Sequence, residues 1–502
     1  MNDAFPNIKT LFRSHVENHS SLVKSTHNER KKKLKILLKN FIEMENEAIE
    51  ALALDLKKSP TESVISEILG VKTEADFAIK NLKKWMRSKR VPSPSTILFT
   101  SGWVRPEPKG SILILSPWNY PILLCLNPLI AAIAAGNTAV IKPSEFTPAS
   151  GAFLKKLVEK TFKDNEVAVV LGNQDAAIEL LSHPFNHVMF TGSPSTGKLV
   201  MSAAAKHLSG VTLELGGKSP VVVDESANIS DAAWKLAFYK FANAGQTCTA
   251  PDYILCHEDK KDALVAGLKE HFDAFFDEKN KDINVDYCQI VNTTHFDRIK
   301  GYLDNAKELG ATVAVGGKTD RGQRCIAPTV LCDVPIDSAV MKEEIFGPLM
   351  PIVTYKHLDD AISFINKREK PLALYLFSYN KKNQKRVLEE TSSGALVFND
   401  CVIHHTNPNE VINKEIRNNI PKIIEYQDIH LDFEKLEDDK FIRKMHKKIQ
   451  EELDEYIEAA NFLDRIRNNQ DEIVSFKKRL EDEGNNNPKL EKRIKKKEEE
   501  LT

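Results

Sequence analysis

The sequence lacks an excess of charge of either sign, and this absence excludes one broad class of function. Its 502 residues contain 70 Lys and Arg against 71 Asp and Glu, which gives a formal net charge of -1. A general nucleic-acid binder is expected to show a basic excess. Apolar content of 42% and charged content of 28% are instead ordinary for a soluble globular protein of two or three domains.

The sequence also lacks an apolar run long enough to cross a bilayer. Its most apolar stretch, residues 120 to 136, is interrupted by Asn127 and Pro128, and the unbroken parts are too short for a membrane span. The first residues, MNDAFPNIKTLFRSH, have no basic region followed by an apolar one, as a signal peptide would. These absences predict no transmembrane segment and a cytoplasmic location.

The seven cysteines form no CxxC pair and no regular framework, as expected of reduced thiols. Small and polar residues flank Cys248 in FANAGQTCTAPDY, so this residue could be a core residue, a metal ligand or a catalytic nucleophile. Metal binding is the weakest of the three, because no histidine or second cysteine lies at ligand spacing. We therefore predict no metal site.

The pattern of apolar residues divides the chain into three parts. Residues 30 to 90 have apolar side chains at helical spacing. From about residue 111 to residue 405, short β-rich runs such as SILILSP and NTAVIKPSE alternate with helices, which predicts an α/β fold with a mostly parallel sheet. Beyond about residue 409, roughly half the residues are charged and the pattern is only helical.

The residues before Cys248 include the partners that a catalytic cysteine needs, namely an oxyanion site and a base. Asn119 follows a predicted strand, and its side-chain amide can donate a hydrogen bond to an oxyanion. Glu214 ends another strand just before Gly216 and Gly217, a turn from which a carboxylate can move towards water. These partners favour Cys248 as the nucleophile.

Two strand ends carry residues suited to a nucleotide cofactor. In TGSPSTGK, Gly192, Ser193 and Gly197 form a turn between a strand and a helix, a context that favours phosphate binding. This turn is not the Rossmann G-x-G-x-x-G pattern. In IKPSE, Lys142 and Glu145 could hold ribose hydroxyls, although a surface ion pair is the more common role of such residues.

Six motifs together resemble the aldehyde dehydrogenase superfamily, most closely its class 3, the type that acts on fatty and medium-chain aldehydes. They lie in the family's order within about residues 5 to 409: SPWNYP, AAGNTAVIKPSE, FTGSPSTGK, LELGGKSP, GQTCTAPDY and EEIFGPLMP. The resemblance implies a Rossmann-type NAD(P)-binding domain over residues 1–215, with a β-hairpin at about 95–110 in the oligomerisation region. It implies an α/β catalytic domain over residues 216–409, possible homodimers, and an aliphatic or aromatic aldehyde as substrate.

The resemblance also implies a role for each candidate residue. Cys248 would form a thiohemiacetal with the aldehyde, and Asn119 with the Cys248 backbone N–H would hold the oxyanion. Hydride transfer to the nicotinamide would leave a thioester, and Glu214 would activate the water that hydrolyses it. The implied cofactor contacts are Lys142 and Glu145 (adenosine ribose), Gly192 and Ser193 (pyrophosphate) with Gly197 in the same turn, Glu344 (nicotinamide ribose), Phe346 (nicotinamide ring) and Trp118. The Glu145 carboxylate would repel a 2′-phosphate, which favours NAD, with NADP possible.

The residues after about 409 depart from that family. Its Pro-Phe-Gly-Gly segment, its Ser-Gly-x-Gly turn and its last strand are absent, so we expect a catalytic domain truncated at its end and a weakened dimer. Residues 410–460 resemble the start of MazG-like nucleotide pyrophosphohydrolases, whose Mg²⁺-binding E-E-x-x-E motif matches Glu451, Glu452 and Glu455. No E-x-x-D follows to complete that site, and residues 461–502 read as a charged helical or disordered tail.

Three functions follow from these features. The first is an NAD(P)-dependent aldehyde dehydrogenase. The second is a catalytically weak scaffold related to it, with a helical interaction tail. The third is a Mg-dependent nucleotide pyrophosphohydrolase in the tail, against which the missing E-x-x-D counts.

Overall fold

The computed structural model describes residues 7–92, 101–275 and 287–406, which all belong to one compact unit. The hairpin expected at about 95–110 lies partly outside these ranges. The fragment 410–460 with its three glutamates and the tail 461–502 lie outside them entirely, and what the sequence indicates there stays a prediction. Within the described ranges, every helix is too short or too polar to cross a membrane.

The described residues form helices α1 to α15 and strands β1 to β16. The helices are α1 (Ile8–Leu22), α2 (His27–Glu43), α3 (Glu45–Leu56), α4 (Pro60–Ser63), α5 (Leu69–Trp85), α6 (Leu123–Ala135), α7 (Pro148–Thr161), α8 (Gln174–Leu181), α9 (Pro194–Ala205), α10 (Ile229–Phe241), α11 (Lys261–Phe275), α12 (Thr293–Glu308), α13 (Ala339–Lys342), α14 (Leu358–Asn366) and α15 (Lys381–Glu390). The strands are β1 (Lys89–Val91), β2 (Gly102–Val104), β3 (Ser111–Leu115), β4 (Thr138–Lys142), β5 (Val167–Val169), β6 (His187–Gly192), β7 (Gly210–Leu215), β8 (Pro220–Val223), β9 (Tyr253–His257), β10 (Thr312–Val315), β11 (Thr319–Asp320), β12 (Cys325–Ile326), β13 (Thr329–Cys332), β14 (Leu349–Tyr355), β15 (Ala373–Phe377) and β16 (Ala395–Phe398).

The first large sheet has the strand order β5-β4-β3-β6-β7, and all of its pairings are parallel. In chain order this is 3-2-1-4-5, the arrangement of a doubly wound nucleotide-binding fold. The strand order reverses at β3, because the chain continues from β3 to β4 on one side and later returns to β6 on the other side. In such sheets ligands bind outside the carboxyl ends of the strands at this switch point.

The second large sheet has the order β10-β13-β14-β9-β8-β15-β16, in which only the β10–β13 pairing is antiparallel. The runs PVVV in β8 and ALYLF in β15 are buried at every position. Continuous apolar runs are expected of parallel strands that are covered on both faces. The four residues between β7 and β8 carry the chain from the first sheet to the second.

The short hairpin formed by β1 and β2 overlaps the predicted one only in its second strand. β2 (Gly102–Val104) pairs antiparallel with β1 (Lys89–Val91), which precedes the range expected from the sequence. The resemblance implied a hairpin at about 95–110. The pairing instead reaches back to the end of the helical segment.

A fully buried ion pair fastens the helical segment to the first sheet. Lys58 and Glu67 are both inaccessible to solvent, and Nζ lies 2.7 Å from Oε1. The other oxygen of Glu67 accepts hydrogen bonds from the backbone N–H groups of Ile122 (2.9 Å) and Leu123 (3.1 Å), where α6 begins. Lys58 also donates to the carbonyl of Asn119 at 3.4 Å. The pair therefore holds the loop between β3 and α6 in place.

We expect Glu67→Gln to lower the free energy of unfolding by about 3–5 kcal/mol, because the change leaves the Lys58 ammonium buried without a carboxylate. The measurement is urea unfolding followed by circular dichroism. Lys156→Met is the matched control, since Lys156 pairs with Glu47 at 2.6 Å on an exposed surface. That control should cost less than about 1 kcal/mol, and equal losses in the two variants would contradict the structural role of the buried pair.

Candidate functional site

Five of the residues predicted from the sequence lie along the carboxyl edge of the first sheet. Trp118 and Asn119 follow β3, Lys142 is the last residue of β4, Gly192 ends β6, and Glu214 is the penultimate residue of β7. Parallel strands bring these ends to one edge, so residues far apart in sequence share one cleft.

Cys248 lies in a turn between α10 and β9. A 3-10 turn, Ala242–Gly245, follows α10 directly, and Asn243 and Ala244 inside it have φ of 50° and 52°. At Gly245 (φ +71°) a Cβ atom would overlap the carbonyl of Gly347, so only glycine fits there. The backbone shortly before Cys248 is therefore held in a tight turn in the left-handed region.

A network of buried amides fixes this turn to the loop after β3. The Asn119 side chain is 2% exposed, and its amide donates to the carbonyl of Gln246 at 3.1 Å. The Asn243 side chain donates to the carbonyl of Asn119 at 2.9 Å, and that of Gln246 donates to the carbonyl of Asn243 at 3.0 Å. Because an amide carries two N–H groups, the Asn119 side chain has a second donor besides the one bonded to Gln246.

The Cys248 thiol is half-buried, and two carboxylates act on its charge. Burial, Glu344 and Glu214, in that order, raise its pKa to about 12, while the N–H groups of Cys248 and Thr249 oppose the shift. Burial and nearby negative charge disfavour the charged thiolate, whereas hydrogen bonds from backbone N–H groups favour it. The structure thus brings the predicted nucleophile and the predicted base within electrostatic range of each other, with the thiol neutral.

Glu344 lies against the turn that follows Glu214. Its Oε1 accepts a hydrogen bond from the Gly217 N–H at 3.1 Å, and a Cβ atom at Gly216 would overlap its carboxylate. Burial and the nearby charge of Asp252 raise the pKa of Glu344 to about 7, against the Gly217 hydrogen bond. The two glycines of the motif LELGG therefore lie where the Glu344 carboxylate, from a distant part of the chain, approaches the backbone.

The residues predicted to hold a dinucleotide form a consistent cradle. Lys142 is 5% exposed, and its Nζ lies 2.6 Å from Oε2 of Glu145, which faces solvent more openly. Ser193 caps the N-terminus of α9, where the helix dipole favours a phosphate. A Cβ atom at Gly192 would lie 2.6 Å from the Phe190 ring, so this strand end has no room for a side chain. These residues fit NAD(P).

Sequence reasoning missed two residues of the cleft, His295 and Arg298, which lie near the start of α12. The His295 ring is 5.2 Å from the Trp118 ring, which is itself 5.3 Å from the Phe346 ring. Arg298 donates to the carbonyls of Glu344 (3.3 Å) and Ile345 (3.0 Å), which positions the segment that carries Glu344. NTTHFDRIKGYL reads as an ordinary amphipathic helix, so the sequence holds no signal for this packing.

Comparisons with known proteins agree with the geometry of the cleft. A profile described as the aldehyde dehydrogenase family matches residues 7–410. A 4,4′-diaponeurosporen-aldehyde dehydrogenase of Staphylococcus aureus is 45% identical, covering 76% of this chain and 82% of that protein. Aldehyde dehydrogenase family 3 member A2 of Rattus norvegicus is 43% identical, covering 75% and 77%.

Two solved structures share the fold. A substrate-bound AldH from Staphylococcus aureus has a TM-score of 0.77 and 42% identity, covering 80% of this chain and 87% of that one. A betaine aldehyde dehydrogenase from the same organism, in complex with NAD⁺, has a TM-score of 0.71 and 27% identity, covering 78% and 79%.

The raised pKa of Cys248 predicts slow alkylation by iodoacetamide near neutral pH, because little thiolate is present. A carboxylate raises a thiol pKa, so Glu214→Gln should lower the pKa and speed alkylation at pH 8 several-fold. The other six cysteines are buried, and Cys248→Ala provides the background rate. Mass spectrometry of the labelled peptide over time gives the rate. An unchanged or slower alkylation rate in Glu214→Gln would contradict the electrostatic effect of Glu214 on the thiol.

Proposed function

The chain belongs to the aldehyde dehydrogenase family, and from this premise we propose that it oxidises an aliphatic or aromatic aldehyde to the carboxylic acid with NAD(P). The class 3 resemblance is confirmed by the family 3 relatives, and the α/β fold by the solved neighbours. The chain is thus an aldehyde dehydrogenase.

One observation carries the proposed mechanism. The Asn119 amide donates to the carbonyl of Gln246, two residues before Cys248, and the charge of Glu214 acts on the Cys248 thiol. These interactions support a site that combines a nucleophile, an oxyanion donor and a base. Asn119 lies in the loop after β3, Glu214 near the end of β7 and Cys248 in the turn before β9, and acyl transfer through a cysteine uses these three functions together.

In the first half of the reaction the Cys248 sulfur attacks the aldehyde carbon and forms a thiohemiacetal. The thiol proton passes to Glu214 as the S–C bond forms. The oxygen of the former carbonyl gains negative charge, which the Asn119 amide and the Cys248 backbone N–H stabilise. When bound, NAD(P) supplies the acceptor for the hydride that leaves this carbon.

In the second half the enzyme carries a thioester on Cys248, and Glu214 acts on water. Glu214 first releases the thiol proton to solvent, and its carboxylate then takes a proton from the attacking water as the C–O bond forms. The C–S bond then breaks, the carboxylic acid leaves, and Glu214 returns its proton to the sulfur. Glu214 lies on β7 just before two glycines, and this turn gives its side chain the freedom to serve both halves.

The cofactor-binding residues support NAD over NADP. Lys142, Glu145 and Ser193 would hold the adenosine ribose and the pyrophosphate, while Glu344 and Phe346 would hold the nicotinamide end. The Glu145 carboxylate would face the ribose hydroxyls and repel a 2′-phosphate. A relative of known structure, 27% identical, is described in complex with NAD⁺. The cytoplasmic location, the domain boundaries and the homodimer stay predictions.

We expect Cys248→Ala to abolish NADH formation from hexanal or benzaldehyde while leaving NAD binding intact, because only the nucleophile is lost. Cys332→Ala, a change at a buried cysteine of β13, is the matched control and should retain activity. Glu214→Gln should lower kcat by about 10²–10⁴. A wild type that binds NAD but forms no NADH would favour the scaffold function instead.

We expect Glu145→Gln to raise kcat/KM for NADP by about tenfold relative to that for NAD, because the change removes the charge that repels a 2′-phosphate. Steady-state kinetics with each cofactor at fixed aldehyde concentration give the ratio. Glu159→Gln is the control, since Glu159 is an exposed residue of α7 paired with Lys155. The same ratio in wild type and Glu145→Gln would show that this carboxylate does not select the cofactor.

A further inference from the structure

Three consecutive residues of the turn before Cys248 have a left-handed backbone, although two of them are not glycine. Asn243, Ala244 and Gly245 have φ of 50°, 52° and 71°. L-amino acids adopt this region as single residues rather than in runs, because Cβ comes too close to the following carbonyl oxygen. A backbone of this kind persists only where its surroundings determine it. Contacts from other segments must therefore hold this turn.

Glu62 makes such a contact at the first left-handed residue. Its Oε1 accepts a hydrogen bond from the backbone N–H of Asn243 at 2.6 Å, across 181 residues of chain. Hydrogen bonds from N–H groups to a carboxylate are shorter and stronger than neutral ones. Glu62 lies on α4, and the Ser59 hydroxyl accepts from the Glu62 N–H at 3.2 Å to cap this helix. The carboxylate therefore extends from a fixed backbone.

The thiol of Cys288 binds the other carboxylate oxygen of Glu62. Cys288 is buried, and its Sγ lies 3.0 Å from Oε2. Burial, followed by the charge of Glu62, raises the pKa of Cys288 well above its usual range, so the sulfur is protonated and donates. With one donor on each oxygen, the plane of the Glu62 carboxylate is fixed. Cys288 thus acts on the turn through Glu62.

Asn243 connects the turn to the proposed oxyanion donor. Its side-chain amide donates to the backbone carbonyls of Asn119 (2.9 Å) and Gln246 (3.2 Å). The Asn119 side chain donates to the same Gln246 carbonyl at 3.1 Å. The Asn243 amide therefore fixes both the main chain of Asn119 and the acceptor that orients the Asn119 side chain. All three residues are buried, so water does not compete for these hydrogen bonds.

The segment that carries Cys288 contacts the turn a second time. The Gln246 side chain accepts from the Val291 N–H at 3.0 Å and donates to the carbonyl of Gln289 at 3.1 Å. The Gln289 N–H donates in turn to the carbonyl of Leu56 at the end of α3. Glu62 is therefore one of two anchors, and it is the one that binds the left-handed residues directly. Its loss should loosen the turn without unfolding the protein.

We propose that Glu62 is a positioning residue for Asn119: its carboxylate, oriented by the Cys288 thiol, holds the left-handed turn at Asn243 and thereby places the Asn119 amide where the oxyanion forms. The inference rests on the proposed function, because that function assigns Asn119 to the oxyanion. Glu62 need not touch the substrate or the cofactor. Its effect belongs to the transition state, in which the oxygen gains charge, and not to NAD binding.

The test is a double-mutant cycle between Glu62 and Asn119, measured as kcat/KM for hexanal at saturating NAD. Glu62→Ala should lower kcat/KM by about 10–10²-fold, since displacing a catalytic group by about 1 Å can cost this much. Asn119→Ala should lower it by about 10²–10³-fold. In the Asn119→Ala background, Glu62→Ala should cost less than about threefold, because the group that Glu62 positions is then absent. The NAD affinity of Glu62→Ala, measured by calorimetry, should equal that of wild type.

Milder variants test the two contacts of the carboxylate separately. Glu62→Gln keeps an acceptor for the backbone N–H without the charge, and it should lower kcat/KM several-fold. Cys288→Ala removes the donor to Oε2 and should also cause a several-fold loss, whereas Cys288→Ser keeps a donor and should retain most of the activity. Cys256→Ala, at another buried cysteine, and Glu166→Ala, at a half-buried carboxylate paired with a lysine, are the controls and should leave kcat/KM unchanged.

Hydrogen exchange of residues 241–248, followed by mass spectrometry, reports on the turn without requiring turnover. In Glu62→Ala these residues should exchange faster than in wild type, because the Asn243 N–H loses its acceptor and the turn opens more often. In Glu166→Ala their exchange should equal that of wild type.

Two results would overturn the inference. Equal fold-losses from Glu62→Ala in the wild-type and Asn119→Ala backgrounds would show that Glu62 acts independently of Asn119. Unchanged exchange of residues 241–248 in Glu62→Ala would show that the carboxylate does not hold the turn. Failure of the proposed function has a different signature, since the wild type itself would then form no NADH, and faster exchange in Glu62→Ala would leave Glu62 as a structural anchor only.

Discussion

The hydrogen bond from the Asn119 amide to the carbonyl of Gln246 joins the two halves of the molecule at the site. Asn119 belongs to the loop after β3 in the first sheet, and Gln246 belongs to the turn that leads into β9 in the second. The residues proposed to bind the cofactor and the proposed nucleophile are thus held together by a buried amide network. A hydrogen bond between the hydroxyl groups of Tyr120 and Thr247 (2.6 Å) joins the same two segments.

Residues further from Cys248 support this network. The buried Lys58–Glu67 pair fixes the loop of Asn119 from below, through the first N–H groups of α6. On the other side, Glu62 accepts from the backbone N–H of Asn243 at 2.6 Å, where the chain has a left-handed conformation. The segment 58–67 therefore supports the site through these contacts, which hold the left-handed turn and the buried Asn119 in place.

Much of the fold and the site could be predicted from the sequence because the chemistry lies at strand ends. Asn119, Glu214 and Cys248 lie in short motifs that can be identified by their order and spacing in the sequence. The alternation of strand and helix patterns indicated the parallel sheet around them. What could not be predicted depends on tertiary packing. The contact of Glu344 with Gly217 joins segments far apart in the chain, and so does the packing of His295 against Trp118.

The raised pKa of the Cys248 thiol has a consequence for its oxidation. Peroxides react with thiolates and hardly at all with thiols, and the first product, a sulfenic acid, can advance to irreversible forms. Burial and two carboxylates keep this sulfur protonated, and the other six cysteines are buried. We therefore expect Cys248 to react slowly with peroxides. Under the proposed function, the burial and the carboxylates that protect this sulfur from oxidation are also what the reaction must overcome when the thiohemiacetal forms.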